Sequence, residues 1–357
     1  MAHTTAGPVT GMVGPDGALT AEGERAAGVT TQTLRRLYEL LVLCRRLDQE
    51  GLHLQRQGEL GLWGPIAGHE AVQVGAALAM APTDWIVPYY RDYGMAVTRG
   101  IDPAVAMTWF RGLTHGAWKP RDQRFGPLII SVGSQMPHAA GLALGCKLDK
   151  EATAVLVSSG EGATSTGDWH ETMNYAGVFQ LPLVILCENN QWAISVPMRK
   201  QVAGRIADRA AGYGFPGVRI DGTDVLTVYA MVRAAAERAR AGDGPMLIES
   251  MSYRFLAHTT SDDPTRYRTE EEAEEWKRCD PVLRAEQRLK ARNAFDEAYA
   301  QATRDAAEGA ALRMRSDLLA AQADHPGAIF DHVFKNPPAA HLRERDVFLA
   351  DIEPGGE

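Results

Sequence analysis

The chain has few cysteines and lacks the segments that mark secreted or membrane-spanning proteins. Its 357 residues include four cysteines, which lie far apart and form no Cys-x-x-Cys pair. They are Cys44, Cys146, Cys187 and Cys279. This pattern argues against a zinc knuckle or a disulfide framework and favours a reducing cytosol. The N-terminus shows no basic segment followed by an apolar core, and no run reaches the roughly 18 apolar residues of a membrane span. We therefore expect a cytoplasmic protein with no membrane segment.

An excess of basic charge is also lacking. The formal net charge is −8, whereas a protein that binds nucleic acid usually presents a clustered basic face. We therefore expect no nucleic-acid partner. Hydrophobic residues make up 45% of the 357-residue chain, which is ordinary for a globular protein and sufficient for one large α/β domain or two modest ones.

Regular hydrophobic periodicity begins only at Thr31. Residues 1–30 are rich in Gly, Ala and Thr and show no period, which predicts a mobile arm. From Thr31 apolar residues recur at helical spacing, with Thr31 or Thr33 as the predicted cap, and a second helix is predicted to begin near Gly68. We assign residues 31–335 to one domain that includes peripheral helices after about residue 269, and residues 336–357 to a C-terminal tail.

Short apolar runs alternate with helical segments in the middle of the chain. The runs predict strands at Ala154–Ser158, Leu183–Cys187, Val218–Asp221 and Met246–Ser250, with helices between them at Asp168–Phe179 and Val225–Arg240. Strand, helix, strand in this rhythm indicates an α/β fold with a mostly parallel, doubly wound sheet and helices on both faces.

The turn Gly160-Glu161-Gly162 and the pair Asn189-Asn190 each follow a predicted strand, and Glu161 precedes Asn190 by 29 positions. Turns that follow parallel strands lie at the carboxyl edge of the sheet, where ligands of open α/β sheets bind. A carboxylate and an amide oxygen are hard ligands that suit Mg²⁺. The glycines let the backbone approach a diphosphate, and the helix that follows presents its N-terminus to the negative charge.

This segment resembles the thiamine-diphosphate signature, in which a GDG-type turn is followed about 30 residues later by two asparagines. The wider chain is similar to alpha subunits of heterotetrameric 2-oxo acid dehydrogenases over roughly residues 31–280. The similarity includes AGHEAVQVG (67–75), PYYRD (88–92), SQMPHAAG (134–141), IDGTD (220–224) and YRFLAHTTSDDPTRYR (253–268). It implies the thiamine-diphosphate-binding α/β fold.

The resemblance also implies a site. Glu161 and Asn190 would bind Mg²⁺ through their side chains, and Trp192 through its backbone carbonyl. Tyr90, Arg91 and His258 match positions that hold the diphosphate or border the reacting carbon, with His258 as the catalytic residue. A planar guanidinium suits such a place because it pairs two phosphate oxygens at once.

Some positions depart from the family pattern. Glu161 stands where most relatives carry Asp, and Trp192 replaces a frequent Tyr. Glu188 occupies a place where some relatives have an Arg on the diphosphate, so we expect that contact to be missing. Residues 112–126 lack the expected Gly-Lys-Gly and His pattern, which leaves no predicted substrate contact from this loop.

Several other polar and aromatic residues have structural interpretations. Asn189 is expected to cap a turn, His69 and His170 to be helix residues without catalytic roles, and residues 269–275 to form a solvated helix face. The aromatic residues Trp169, Tyr175 and Phe179 are expected in the core.

The polar segment Tyr253–Arg268 is expected to be a loop that the cofactor orders. Asp262 and Asp263 would hold Arg266 or Arg268. Thr259 matches a serine that is phosphorylated in regulated relatives.

The resemblance implies oxidative decarboxylation of a 2-oxo acid, with transfer of the acyl group to a lipoyl arm. Branched-chain acids such as 2-oxoisovalerate are favoured and pyruvate comes next. The expected partners are a beta subunit in an α₂β₂ heterotetramer, which supplies the carboxylate that activates the cofactor, and a lipoyl acyltransferase core. An acetoin dehydrogenase alpha subunit is a related alternative.

Two alternatives come from other classes. The first is a Rossmann NAD-dependent oxidoreductase, but Ser165 stands where the third glycine should be, and Glu188 lies about 26 residues past the turn instead of about 20. The second is a non-catalytic regulatory or scaffold subunit, which has no physical need for the predicted ligand set.

Overall fold

The computed structural model describes residues 11–113, 118–331 and 333–352. Its strands, in chain order, are β1 (Trp85–Val87), β2 (Val155–Gly160), β3 (Leu183–Asn189), β4 (Trp192–Ala193), β5 (Val196–Pro197), β6 (Gly217–Asp221) and β7 (Met246–Met251). The main sheet has the order β1-β2-β3-β7-β6 and all of its strand pairs are parallel. Strands β4 and β5 form a small antiparallel hairpin. The four predicted strands are confirmed, whereas β1 was missed because three residues carry too short a pattern to read.

The main sheet is covered by helices on both faces, as predicted. Strand β2 shows this directly, because Val155 and Val157 join one apolar cluster and Leu156, which lies between them, joins another. In parallel sheets both faces are buried, so such strands are apolar at every position.

The helices predicted at residues 168–179 and 225–240 lie within one residue of their predicted bounds, whereas several other helices were not predicted. The described residues contain fourteen α-helices. They are α1 (Ala21–Ala27), α2 (Thr31–Arg56), α3 (Glu70–Ala79), α4 (Tyr93–Thr98), α5 (Pro103–Met107), α6 (Pro120–Gln123), α7 (Gln135–Leu148), α8 (Gly167–Phe179), α9 (Arg209–Gly212), α10 (Val225–Arg240), α11 (Glu270–Lys277), α12 (Pro281–Ala291), α13 (Glu297–Ala320) and α14 (Ala339–Ile352). Helix α2 is capped by Thr30, whose side chain accepts from the Thr33 backbone N–H, so the two predicted caps, Thr31 and Thr33, were one and three residues late. No helix among the described residues is long and apolar enough to cross a membrane.

The two ends of the chain carry more regular structure than the predicted arm and tail. Residues 1–10 lie outside the described part. Residues 11–30 contain helix α1 and a turn whose Gly17 carbonyl accepts from the Asp221 backbone N–H on the edge strand β6. At the other end, helix α14 stands where a tail was predicted, and its Phe348 ring packs on Phe330.

Two aromatic side chains lie outside the core, contrary to the prediction. Trp169 is fully buried, but Tyr175 and Phe179 are 36% and 43% exposed on α8. All three residues lie on α8, but this helix buries only one of its faces, and Tyr175 and Phe179 lie outside that face.

Candidate functional site

Side chains from four adjacent strand ends meet at the carboxyl edge of the main sheet. In space β1, β2, β3 and β7 lie side by side. Tyr90 and Arg91 follow β1, Glu161 follows β2, Asn190 follows β3, and His258 lies in the connection after β7. Because parallel strands end at the same edge, residues up to 168 positions apart in the chain come together (Tyr90 to His258).

A cavity of about 750 Å³ opens at this edge. Every residue that the sequence singled out for the site lines it. These residues are Tyr90, Arg91, Gly160, Glu161, Gly162, Asn190, Trp192 and His258. The structure therefore brings together the whole predicted set.

Glu161 and Asn190 lie next to each other at the base of the cavity. The Glu161 carboxylate accepts from the Asn190 backbone N–H at 3.3 Å, and the Asn190 side-chain oxygen accepts from the Trp192 backbone N–H at 3.1 Å. Both residues are nearly inaccessible to solvent. Burial raises the pKa of Glu161, and a cation bound beside it would favour the ionised form.

The two turns that carry these residues are held close together. A Cβ on Gly162 would come within 3.2 Å of the Ala193 Cβ, so a larger residue would push the Asn190 turn away. The neighbouring Asn189 has the structural part expected of it, because its side chain donates to Glu249 and accepts from the Gln191 backbone N–H.

His258 is held by two arginines. Arg91 donates to His258 Nδ1 at 3.1 Å and to the His258 carbonyl at 2.9 Å, and Arg254 Nη1 lies 3.4 Å from the same Nδ1. A guanidinium can only donate, so Nδ1 is the acceptor and the ring proton is on Nε2. Burial, together with Arg91 and Arg254, lowers the pKa of His258 to about 3. The ring is therefore neutral at pH 7 and has one N–H to offer.

Arg254 was not singled out from the sequence, although it connects both sides of the site. It is fully buried and donates to the carbonyls of Trp192 and Ile194 at 3.0 and 2.8 Å and to the Tyr267 hydroxyl at 3.0 Å. No local pattern marks it, because a buried arginine and a surface arginine look alike in a sequence.

The Trp192 carbonyl, predicted as a metal ligand, is the acceptor of that Arg254 bond. A carbonyl oxygen has two lone pairs, so the bond leaves one available to a cation.

Glu188, near the end of β3, does not line the cavity. It is fully buried and accepts from the Tyr89 hydroxyl at 3.2 Å, with His69 Nδ1 at 3.0 Å. Burial raises the pKa of Glu188. His69 and His170 serve as structural partners, since His170 Nδ1 lies 2.6 Å from the Tyr213 hydroxyl.

The segment Tyr253–Arg268 is built differently from the prediction. Asp262 pairs with neither arginine. It accepts from the His258 backbone N–H at 2.8 Å and from the Tyr267 hydroxyl at 2.5 Å. The Arg268 guanidinium instead binds the carbonyls of Arg254, Phe255 and Leu256. The expected Asp–Arg pairs were wrong because backbone groups of a tight loop lie closer than the side chains.

The AGHE motif supports the start of this segment. Gly68 has φ +94°, and a Cβ there would lie 2.0 Å from the Tyr253 carbonyl. The Phe255 backbone N–H donates to the Ala67 carbonyl at 3.1 Å. Only a glycine lets the two backbones approach so closely, which fixes where the His258 loop begins.

Two further predictions concern the borders of the site. Gly112 lines the cavity, residues 114–117 lie outside the described part, and Trp118 is buried with its indole donating to the Phe125 carbonyl. Most acidic side chains of residues 269–275 are exposed as expected, but Glu272 accepts from the Trp192 indole and the Tyr253 hydroxyl.

The donors present fit a hard cation with a diphosphate. Among the described residues, no cluster of three or more His, Cys, Asp or Glu side chains could bind a metal alone. A cation at Glu161 and Asn190 therefore needs carbonyl, phosphate or water oxygens, which is the ligand set that Mg²⁺ takes up with a phosphate ligand. Arg91 lines the same cavity and supplies the positive charge that a diphosphate requires.

Comparisons with known proteins agree with this arrangement. The family model described as "Dehydrogenase E1 component" matches residues 38–311. The 3-methyl-2-oxobutanoate dehydrogenase subunit alpha of Mycobacterium tuberculosis is 45% identical over 325 residues, covering 90% of this chain and 87% of that protein. The 2-oxoisovalerate dehydrogenase subunit alpha of Bacillus subtilis is 41% identical over 278 residues (74% and 84%). The pyruvate dehydrogenase E1 component subunit alpha of Acholeplasma laidlawii is 40% identical over 255 residues (71% and 74%). The chain therefore belongs to the dehydrogenase E1 component family.

Proposed function

We propose that the chain is the alpha subunit of a thiamine-diphosphate-dependent 2-oxo acid dehydrogenase. The observation that carries the proposal is the convergence of Arg91, Glu161, Asn190 and His258 on one cavity. Branched-chain 2-oxo acids are the favoured substrates and pyruvate is next. The names of the Mycobacterium tuberculosis and Bacillus subtilis relatives support this order, while the Acholeplasma laidlawii relative is named for pyruvate.

In this proposal the base of the cavity binds the diphosphate end of the cofactor. Glu161, Asn190 and the Trp192 carbonyl hold Mg²⁺, and Arg91 and Tyr90 hold the diphosphate. When bound, thiamine diphosphate supplies the electron sink that decarboxylation of a 2-oxo acid requires. The backbone at Gly160 and Gly162 lines the cavity beside Glu161 and leaves room for the phosphates.

His258, which lines the same cavity, would supply a hydrogen-bond donor toward the reacting carbon. Its Nδ1 is occupied by Arg91, so its Nε2–H is the group that can donate to a substrate oxygen or return a proton. The lowered pKa of His258 keeps the ring neutral, which avoids placing a third positive charge beside Arg91 and Arg254.

The proposed assembly is an α₂β₂ heterotetramer with a beta subunit, docked on a lipoyl acyltransferase core. Among the described residues that line the cavity, Glu161 is the only carboxylate, and the proposal assigns it to the metal. The carboxylate that must press on the aminopyrimidine ring therefore comes from the partner. The four free thiols are compatible with a cytoplasmic location, which remains part of the proposal.

The test is to coexpress the chain with the beta subunit of its own genome and assay purified complex. We expect 2-oxo acid-dependent reduction of an artificial electron acceptor that requires both thiamine diphosphate and Mg²⁺, and no turnover by the chain alone. Acetoin is tested as a substrate alongside the 2-oxo acids.

Two results would contradict the proposal. Calorimetry measures both kinds of binding. If the chain binds NADH and shows no magnesium-dependent binding of thiamine diphosphate, the NAD-dependent oxidoreductase alternative is favoured. Turnover by highly purified chain without the beta subunit would refute the need for a partner.

A further inference from the structure

The indole ring of Trp192 is held by a carboxylate that does not belong to the cavity. Trp192 is 4% exposed, and its indole N–H donates to Glu272 Oε1 on α11 at 2.9 Å. The same oxygen accepts from the Tyr253 hydroxyl at 2.9 Å. Glu272 does not line the cavity. It nevertheless binds the side chain of the residue whose carbonyl is the predicted metal ligand.

The backbone beside Trp192 depends on contacts from outside its own hairpin. Gln191 has φ +74° and Ile194 has φ +54°, a left-handed conformation that is rare for side chains other than glycine and least favourable for a β-branched residue. Residues in such conformations persist only where the surrounding structure holds them. Strands β4 and β5 supply just two residue pairs. Arg254 holds the carbonyls of Trp192 and Ile194, and the bond to Glu272 holds the indole.

Glu272 itself has a fixed position. It is the third residue of α11, and its backbone N–H donates to the side chain of the N-cap residue Thr269 at 3.3 Å. One turn further along α11, the Trp276 ring stacks on the fully buried Tyr253 ring, with the ring centres 5.4 Å apart and the planes 11° from parallel. Helix α11 is therefore fixed against the segment that it contacts, and Glu272 can act as a firm anchor for the indole.

We propose that Glu272 is a positioning residue for the metal: by holding the Trp192 indole it sets the place of the Trp192 carbonyl, without touching metal or cofactor. This inference rests on the proposed function, which assigns that carbonyl to Mg²⁺. Groups that orient a metal ligand from behind typically contribute about 10–100-fold to metal affinity, and Mg²⁺ demands near-ideal octahedral geometry. An indole can only donate a hydrogen bond, so a Trp at this position requires an acceptor such as Glu272.

The experiment measures, by calorimetry on the coexpressed complex, the Mg²⁺ concentration that gives half-maximal binding of thiamine diphosphate. In Glu272→Ala and in Trp192→Phe this concentration should rise about tenfold or more. Glu272→Gln keeps an oxygen that accepts from the indole and should restore most of the affinity. At saturating Mg²⁺, kcat should stay within about twofold of wild type, because the variants lose binding that is equal in the ground and transition states.

A matched control and a double-mutant cycle distinguish positioning from a purely structural role. Glu275→Ala removes an exposed carboxylate from the same helix and should leave the Mg²⁺ requirement at the wild-type value. If Glu272 acts through the indole, Glu272→Ala should raise the requirement no further in a Trp192→Phe background. Additive effects of the two changes, or a wild-type requirement in Glu272→Ala, would overturn the inference.

The remaining outcomes are also decisive. If circular dichroism shows that Glu272→Ala does not fold, Trp192→Phe decides: a raised Mg²⁺ requirement there, with recovery in Glu272→Gln, supports the inference, and a wild-type requirement overturns it. If the wild-type complex binds no thiamine diphosphate at any Mg²⁺ concentration, the proposed function itself fails. Wild-type binding with unaffected Glu272 and Trp192 variants refutes the positioning role alone.

Discussion

The two sides of the cavity differ in how the chain builds them. We call the polar side the polar floor, and it consists of Arg91, Glu161, Asn190 and His258. Each of these residues follows a parallel strand, so the geometry of the sheet brings them together. The other side, which we call the apolar wall, consists of Leu62, Trp109, Phe110, Ile130 and Val132. These residues lie in connections between helices, such as the one between α2 and α3 and the turn after α5. The polar side therefore lies on a rigid edge of the sheet, while the apolar side comes from connecting segments, which are in general more mobile and more variable than strands.

The largest effect is expected from substitutions in the polar floor that leave the apolar wall unchanged. Glu161→Ala or Asn190→Ala should lower magnesium-dependent affinity for thiamine diphosphate by about 100-fold or more, beyond the 10–100-fold typical of residues that only orient a metal ligand. Calorimetry on the complex measures this affinity, and circular dichroism checks the fold. Glu237→Ala and Asn174→Ala change the same residue types at exposed positions. Wild-type affinity in either floor variant would show that the metal assignment is wrong.

The next effect separates chemistry from binding within the polar floor. His258→Ala should lower the rate of reductive acylation by about 100-fold or more, as loss of a proton-transferring group does. Cofactor affinity should change much less, because Arg91 keeps its bond to the Pro65 carbonyl and remains available to the diphosphate. Single-turnover assays with a lipoyl domain measure the rate, and His53→Ala, an exposed histidine on α2, is the control. Equal losses of rate and affinity would make His258 a binding residue.

The position of the apolar wall is expected to depend on Asp48, because Asp48 holds the Trp63 indole and the Trp63 ring packs against Phe110. This buried carboxylate accepts from the Trp63 indole and from the backbone N–H groups of Ile66 and Ala67. Asp48→Ala leaves three buried donors without an acceptor, and each costs about 1–3 kcal/mol. The free energy of unfolding from urea titration should therefore fall by roughly 3 kcal/mol or more. Glu237→Ala on the exposed face of α10 should change it by less than about 0.5 kcal/mol.

A smaller effect concerns the order of the loop that carries His258, the segment Tyr253–Arg268. Thr259 lies beside Ser261, with the two hydroxyl oxygens 3.0 Å apart, and close to Asp262 in the chain. Thr259→Glu adds a negative charge there, which should repel both the aspartates and a bound diphosphate. Protease nicking of the loop should rise about tenfold, the equivalent of about 1.4 kcal/mol of lost order.

Two comparisons make the loop experiment decisive. Thr259→Gln introduces a side chain of the same size as Thr259→Glu but without the charge, and it should be cut at nearly the wild-type rate. Magnesium and thiamine diphosphate should protect wild type more than Thr259→Glu. Equal cutting with and without the cofactor would contradict the prediction that the cofactor orders this loop.

The smallest effect concerns pH. A histidine with an ordinary pKa takes up a proton near pH 6.5, but burial and the two arginines lower the pKa of His258 to about 3. Because the shift is downward, the ring stays neutral as pH falls from 8 to about 5, and kcat should change less than about twofold from this group. A pH–rate profile of the wild-type complex, compared with that of His258→Gln, checks this. A limb near pH 6.5 that is present only in wild type would show that the ring is protonated more easily than the structure indicates.

The sequence by itself determined four of the five strands of the main sheet and the residues that would lie at their ends. Buried parallel strands leave continuous apolar runs, and the two residues predicted to bind a metal through their side chains stand shortly after such runs. Glu161 and Asn190 could therefore be identified from neighbours within a few positions of each. The weaker predictions concerned the chain ends and the loops, where Thr30, the residues of α1 and the partners of Asp262 follow from contacts far along the chain or from backbone geometry.

Only the tertiary structure decided the role of Arg254 and the existence of the apolar wall. Arg254 lies buried among its acceptors, the carbonyls of Trp192 and Ile194 and the Tyr267 hydroxyl, and no pattern near residue 254 encodes those partners. Leu62 and Trp109 look like ordinary core residues until the packing leaves them facing a cavity. Burial and exposure of a side chain depend on what the rest of the chain places around it, and local sequence periodicity carries that information for strands and helices but not for the connections between them.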